Sequence, residues 1–192
     1  AIQYYASHAN SVDHHGNDRQ SVAKAHYKKI GRADRAIVDE WGDDTTTALL
    51  SLRTSPLSPD SERLRAPGAI AEDIMENWAS GAGTIRYEMR QSLQADARHG
   101  LEPDDWHYVR VLTGTEWFGT PHLHIYAWIR DPDDEVRAHW FEDAVAAHVD
   151  NCQGAVWDKH PIDEYLGREG TVTLDFAPIP PEEEIVSDAV SS

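Results

Sequence analysis

The chain has one cysteine, four lysines and no apolar run that approaches the ~20 residues needed to cross a bilayer. Cys152 alone cannot form an intramolecular disulfide, which excludes both a disulfide framework and CxxC redox chemistry and leaves it as a small buried residue. No charged-then-apolar leader opens the sequence, so the protein reads as soluble and cytoplasmic, and Ala1 as the start of a processed chain or an excised domain. No internal repeat is visible, which argues against solenoids and propellers.

The scarcity of lysine goes with an extreme charge. Against 34 acidic residues stand 17 basic ones, of which only Lys24, Lys28, Lys29 and Lys159 are lysines, and the net charge is -17. A dense carboxylate shell of this kind suits a protein from a highly saline interior, where it holds water and keeps the molecule soluble. At 192 residues the chain fits one domain with a sizeable core and appended arms.

Residues 1–18 are polar, carry His8, His14 and His15, and read as a solvated arm. From Arg19 to Trp41, apolar residues at near-helical spacing predict one helix or two short ones around Gly31, ending near Gly42. Thr46 to Thr54 reads as a strand closed by Pro56 and Pro59, and Ile70 to Arg98 as helical with a break at "SGAG". "HYVRVLTGTEW" and "PHLHIYAWIRD" form a strand hairpin, and "DPDDEVRAHWFEDAVAAHVDNC" a helix with acidic residues in its first turn. A short apolar piece at Ala155 to Trp157, a helix from Pro161 to Arg168 and a strand from Thr171 to Phe176 complete the pattern. Beyond "PIPPEEE" the composition is that of a disordered tail. This order predicts an α+β fold, an antiparallel sheet covered by helices in the ferredoxin-like manner, with boundaries at 1–44 (arm and helical element), 45–177 (the main domain) and 178–192 (acidic tail).

Within the hairpin, "GTPHLHIYAWI" places two histidines in an otherwise apolar strand. Alternation sends His122 and His124 to one face and Leu123 and Ile125 to the other, so the two imidazoles are placed to share one divalent metal. An HxH pair also occurs in cupin barrels and several hydrolases, and each ring could simply hydrogen-bond nearby, so the pair by itself leaves the chemistry open.

In its setting, with a proline before the pair, "HYVRVL" upstream and "FEDAVAAHVDN" downstream, the sequence resembles motif 2 of the HUH endonuclease superfamily, in particular the rolling-circle replication initiators of haloarchaeal plasmids and viruses. The resemblance runs from Thr45 to Phe176 and is densest from Trp106 to Asn151. "TALLSLRTS" is similar to motif 1. Motif 3 supplies a tyrosine nucleophile, which the resemblance assigns to Tyr165 in "DEYLGREG", with Arg168 where many members have lysine and with Gly167 and Gly170 making the segment short.

The resemblance implies single-stranded DNA nicking and joining through a 5′-phosphotyrosine. It implies a divalent metal, Mn²⁺ or Mg²⁺, held by His122 and His124, with Glu116 as first choice for a third ligand and His107 as second. Implied partners are single-stranded DNA at a replication origin and a host helicase, with no membrane. DNA-contacting cations would come from Arg53, Arg86, Arg90 and Lys159, with Arg63 and Arg65 in reserve and Trp117 or Trp157 for stacking. A non-catalytic origin-binding domain of the same fold and an HxH metallohydrolase using water are the alternatives.

Overall fold

Period-two patterning builds the sheet. Thr45–Arg53 (β1) buries Ala48, Leu50 and Leu52 on one face and turns Thr47, Leu49, Ser51 and Arg53 to the other. Trp106–Gly114 (β2) and Pro121–Arg130 (β3) form the expected hairpin, and Val172–Asp175 (β4) closes the set. The computed structural model describes residues 16–59, 61, 63–79, 81–95, 98–114, 120–162 and 170–175.

The strands lie in the order β2-β3-β1-β4 with every pairing antiparallel. With helices Pro67–Asn77 (α2) and Ile85–Gln94 (α3) between β1 and β2, and Glu142–Asn151 (α4) between β3 and β4, this is the β-α-β-β-α-β arrangement expected. β3 is central and buried along nine of its ten residues, with only Arg130 exposed. A strand covered on both faces reads as a continuous apolar run, and this one is interrupted only by its histidines.

One face carries the main core. Leu50, Leu52, Leu123, Ile125 and Ile129 of the sheet meet Ile70 and Ile74 of α2, Ile85, Met89 and Leu93 of α3, and Val145 of α4. The helices begin and break where local chemistry requires. Pro67 opens α2 at its first turn, where a missing N–H costs nothing, and "SGAG" separates α2 from α3. Cys152 is buried as expected, and burial pushes its thiol up to about 12.

The opposite face carries a smaller cluster, in which Val109, Tyr126 and Trp128 pack against Ile30, Ile37 and Trp41 of the first helix, Gly16–Trp41 (α1). α1 is one helix running through Gly31. It stops at Gly42, whose φ of +59° lies in the left-handed region where glycine carries no Cβ penalty. The helical element expected within residues 1–44 is therefore docked on the sheet. Residues 1–15, the arm, and 176–192, including Phe176 and the tail, lie outside the described residues.

Two expectations are corrected. The helix read from Asp131 begins only at Glu142, after a 3-10 turn over Ala138–Phe141. Asp131 is buried, and its carboxylate accepts hydrogen bonds from the Glu135 and Val136 N–H groups and from Thr46 Oγ1, which holds residues 131–136 in a turn. The short apolar piece from Ala155 carries a 3-10 turn at Trp157–Lys159, and Pro161 and Ile162 are not helical; the rest of the helix expected there, 163–169, lies outside the described residues.

Gly31 provides a direct test of α1. A Cβ built there meets nothing within 4 Å, so Gly31→Ala should stabilise the protein by about 1 kcal/mol through lower backbone entropy in the unfolded chain. Chemical denaturation at fixed KCl concentration measures this, and a destabilisation would contradict α1 as a continuous helix.

Candidate functional site

β3 delivers His122 and His124 to the face opposite the main core, as the alternation requires, while Leu123 and Ile125 enter that core. The register sets His124 between Ser51 of β1 and Val111 of β2, and His122 between Arg53 and Thr113. The ring centroids are 4.6 Å apart, edge to face. Both side chains are buried, at 3% and 5% exposure.

Each ring has one nitrogen committed. His122 Nδ1 lies 3.3 Å from the Thr120 carbonyl, which can only accept, so Nδ1 carries the proton and Nε2 the lone pair. His124 Nδ1 is 3.1 Å from Ser51 Oγ, and its Nε2 is buried with no hydrogen-bond partner among the described residues. A buried polar atom without a partner is costly, and a pair of imidazoles with fixed Nδ1 and available Nε2 is how metal-binding histidines are oriented. Burial lowers both pKa values, that of His124 to about 4, with the neighbouring His122 and then the Arg53 cation adding to the effect on His124. Both rings are thus neutral near pH 7, the form that can ligate.

Among the described residues no third His, Cys, Asp or Glu completes a metal-holding group. Glu116 lies outside the described residues, in 115–119. The second choice, His107, is corrected by the register. It pairs with Trp128, four residues along β3 from His124 and so roughly 13 Å away, and it stacks on Trp41 at 5.5 Å.

Arg53 is the one predicted DNA-contacting residue that the register brings to the pair, directly opposite His122. Arg86 and Arg90 are on α3, which packs on the other face of the sheet. Arg65 is tied to Asp73 at 3.0 Å, and Arg63 is exposed. Lys159 and Trp157 sit in the exposed turn before His160. Tyr165, Arg168 and Trp117 lie outside the described residues.

A second histidine pair was not legible as part of the site. His148 on α4 donates from Nε2 to the Arg53 carbonyl at 2.9 Å, and His160 Nε2 accepts the Arg53 N–H at 3.0 Å while its Nδ1–H donates to the Val156 carbonyl at 2.7 Å. Both are fully buried, with ring centroids 5.0 Å apart. Together they hold both backbone polar groups of Arg53 at the end of β1, which fixes where its side chain starts beside His122. The only sequence signal is that His148 falls on the buried side of a helical pattern; nothing local connects His160 to Arg53.

This latch predicts acid sensitivity. Burial lowers the His148 pKa from 6.5 to about 4, so at intermediate pH the unfolded chain binds a proton that the folded one refuses. Stability from this group is complete above pH 6.5 and is lost as pH falls toward 4, with a slope of up to about 1.4 kcal/mol per pH unit. His148→Gln keeps an N–H donor and should flatten the unfolding free energy over that window; an unchanged pH profile would remove His148 from the account.

Residues 17–188 match the model of a protein family described as "Putative rep protein (DUF1424)". An "Uncharacterized 36 kDa protein" of Halobacterium salinarum is 30% identical over 148 residues, covering 77% of this chain and 42% of that protein. A protein of the same description from Halobacterium sp. (strain GN101) is 25% identical over 142 residues, covering 70% of this chain and 38% of its own length. The chain therefore spans about two fifths of the length of the curated relatives it matches. No solved structure matches it. Among the described residues no helix is long and apolar enough to cross a membrane. With the match covering nearly the whole described fold, the chain belongs to this rep protein family.

Proposed function

We propose that the protein nicks and rejoins single-stranded DNA to initiate rolling-circle replication, with Tyr165 as nucleophile. The observation that carries this reading is the His122 and His124 pair, two neutral buried imidazoles with oriented Nδ1 atoms on the central strand of a rep-family fold. A divalent ion held by these nitrogens, with Glu116 as a further ligand, would polarise the scissile phosphate and offset charge that develops on its oxygens.

The chain's own residues account for the remainder. The Tyr165 phenol gives up its proton and its oxygen bonds to phosphorus, the bond from phosphorus to the 3′ oxygen breaks, and that oxygen takes a proton to become a free 3′ hydroxyl. The reverse attack by a 3′ hydroxyl on the phosphotyrosine reseals a strand and restores the phenol. Arg168 and Arg53 would supply planar cations suited to gripping the phosphate.

The position of the described residues on either side of Tyr165 in the chain supports the assignment. Thr171 N–H donates to the Pro161 carbonyl at 2.9 Å, and Ser51 N–H donates to the Thr171 carbonyl at 2.9 Å. The described residues that flank 163–169, Pro161 and Thr171, are thus held next to Ser51, the residue that hydrogen-bonds His124. The acidic shell and the Halobacterium relatives fit a reaction run in concentrated salt, where counterion release contributes little and positioned contacts must hold the strand.

Incubation of the protein with single-stranded origin DNA and Mn²⁺ should yield a covalent protein-DNA species that survives denaturing electrophoresis. Tyr165→Phe should abolish it with DNA affinity retained, and cleavage that persists in Tyr165→Phe would sink the tyrosine mechanism. Titration calorimetry should show Mn²⁺ binding by the unsubstituted protein and its loss in His122→Ala and in His124→Ala. Equal Mn²⁺ affinity in those variants would remove the metal role of the pair.

A further inference from the structure

α1 has a charge opposite to that of the rest of the chain. Between Arg19 and Arg35 it carries six cations, Arg19, Lys24, Lys28, Lys29, Arg32 and Arg35, and one carboxylate, Asp34. Three of the four lysines fall in these seventeen residues of a protein whose net charge is -17. The carboxylate is turned inward, where it accepts the Trp128 indole N–H at 2.7 Å, whereas Lys28, Lys29, Arg32 and Arg35 are exposed.

Helix stability does not explain this distribution. Lys24, Lys28 and Arg32 follow one another at i,i+4 spacing, where like charges repel. The C-terminal turn, which the helix dipole would favour for cations, instead holds Asp39 and Glu40 and has no basic residue. An external anion would relieve the repulsion along such a row.

Beneath α1 lies a cavity of about 500 Å³, within the range of small-molecule pockets (~300–1,000 Å³). Ile30, Ala33 and Ile37 line it from α1, and His107, Val109 and Trp128 from β2 and β3. Lys29 and Arg32 line it as well, so flat aromatic and aliphatic walls meet two exposed cations. His107, Val109 and Trp128 lie on the sheet face that carries His122 and His124, with Trp128 six residues from His122 along β3, roughly 20 Å.

We propose that α1 and the sheet beneath it form a clamp for single-stranded DNA, in which the exposed cations of α1 hold backbone phosphates and the cavity receives a nucleobase. The clamp rests on the single-stranded DNA reading given above and adds a second contact region, away from the histidine pair, to hold the strand whose scissile phosphate lies at that pair. Apolar walls suit a base of any sequence, because every base has a π face, and the cations supply the salt-dependent part of the affinity.

Fluorescence anisotropy with labelled oligothymidylate tests this, over the KCl range in which the far-UV circular dichroism of each protein is unchanged. Replacing Lys28, Arg32 and Arg35 together by Gln should weaken binding and reduce the slope of log affinity against log salt by about 2, near 0.7 for each phosphate that is no longer neutralised. Ala33→Phe, which fills the cavity, should weaken binding at least tenfold and leave the slope unchanged. Both variants keep the histidine pair, so Mn²⁺ affinity should equal that of the unsubstituted protein. Unsubstituted affinity and slope in both variants would overturn the clamp even where the Tyr165 adduct forms, which leaves the nicking reading standing. Variant-sensitive binding without any adduct would support the clamp and overturn the nicking reading, and absence of oligothymidylate binding by the unsubstituted protein would overturn the clamp.

Discussion

The pairing of β1 with β3 is the constraint on which the rest depends. Nine residue pairs, from Thr45 with Arg130 to Arg53 with His122, fix which side chains of the central strand face the helices. A slip of one residue would turn Leu123 and Ile125 out of the core and His122 and His124 into it, so burial of the aliphatic set fixes the register strongly. The same register carries Ser51 to His124 and Arg53 to His122, and the geometry around the two imidazoles thereby follows from core packing.

The two histidine pairs serve different ends with the same chemistry. Neutral imidazole has one donor and one acceptor, and burial keeps it neutral. In His148 and His160 the nitrogens facing Arg53 are spent on its backbone, one donating and one accepting, so they lock the strand end. In His122 and His124 the Nδ1 atoms are held by Thr120 and Ser51, which orients both rings, and His124 Nε2 has no hydrogen-bond partner among the described residues. A buried His124 Nε2 with no partner among the described residues carries a desolvation cost, which a bound ligand would offset.

Charge is divided as unevenly as the histidines. A net charge of -17 suits concentrated salt, where screening over a few ångströms would leave little long-range attraction for any polyanion. What survives screening is short-range contact, and α1 concentrates its cations on a helix held to the sheet by Ile30, Ile37 and Trp41. The Asp34 to Trp128 hydrogen bond adds a polar anchor within that contact; burial raises the Asp34 pKa, while the indole N–H and then Arg35 lower it.

Much of this was legible in the order of residues. Alternation in "PHLHIYAWI" gave the strand and the shared face of His122 and His124, and the β-α-β-β-α-β order followed from periodicity and the glycine and proline breaks, since both patterns are local. The helix expected from Asp131 failed because a buried carboxylate bonded the following N–H groups and Thr46, a partner 85 residues away that propensity cannot register. His107 failed as a ligand for the same kind of reason, because register alone puts it opposite Trp128. The sequence by itself determined the charge, the strand alternation and the identity of the paired histidines on one face, all of which depend on neighbours within a few positions. Only the tertiary structure decided that His148 and His160 meet at Arg53 and that the cationic helix lies on the histidine face, because those contacts join segments dozens of residues apart and are set by which surfaces pack.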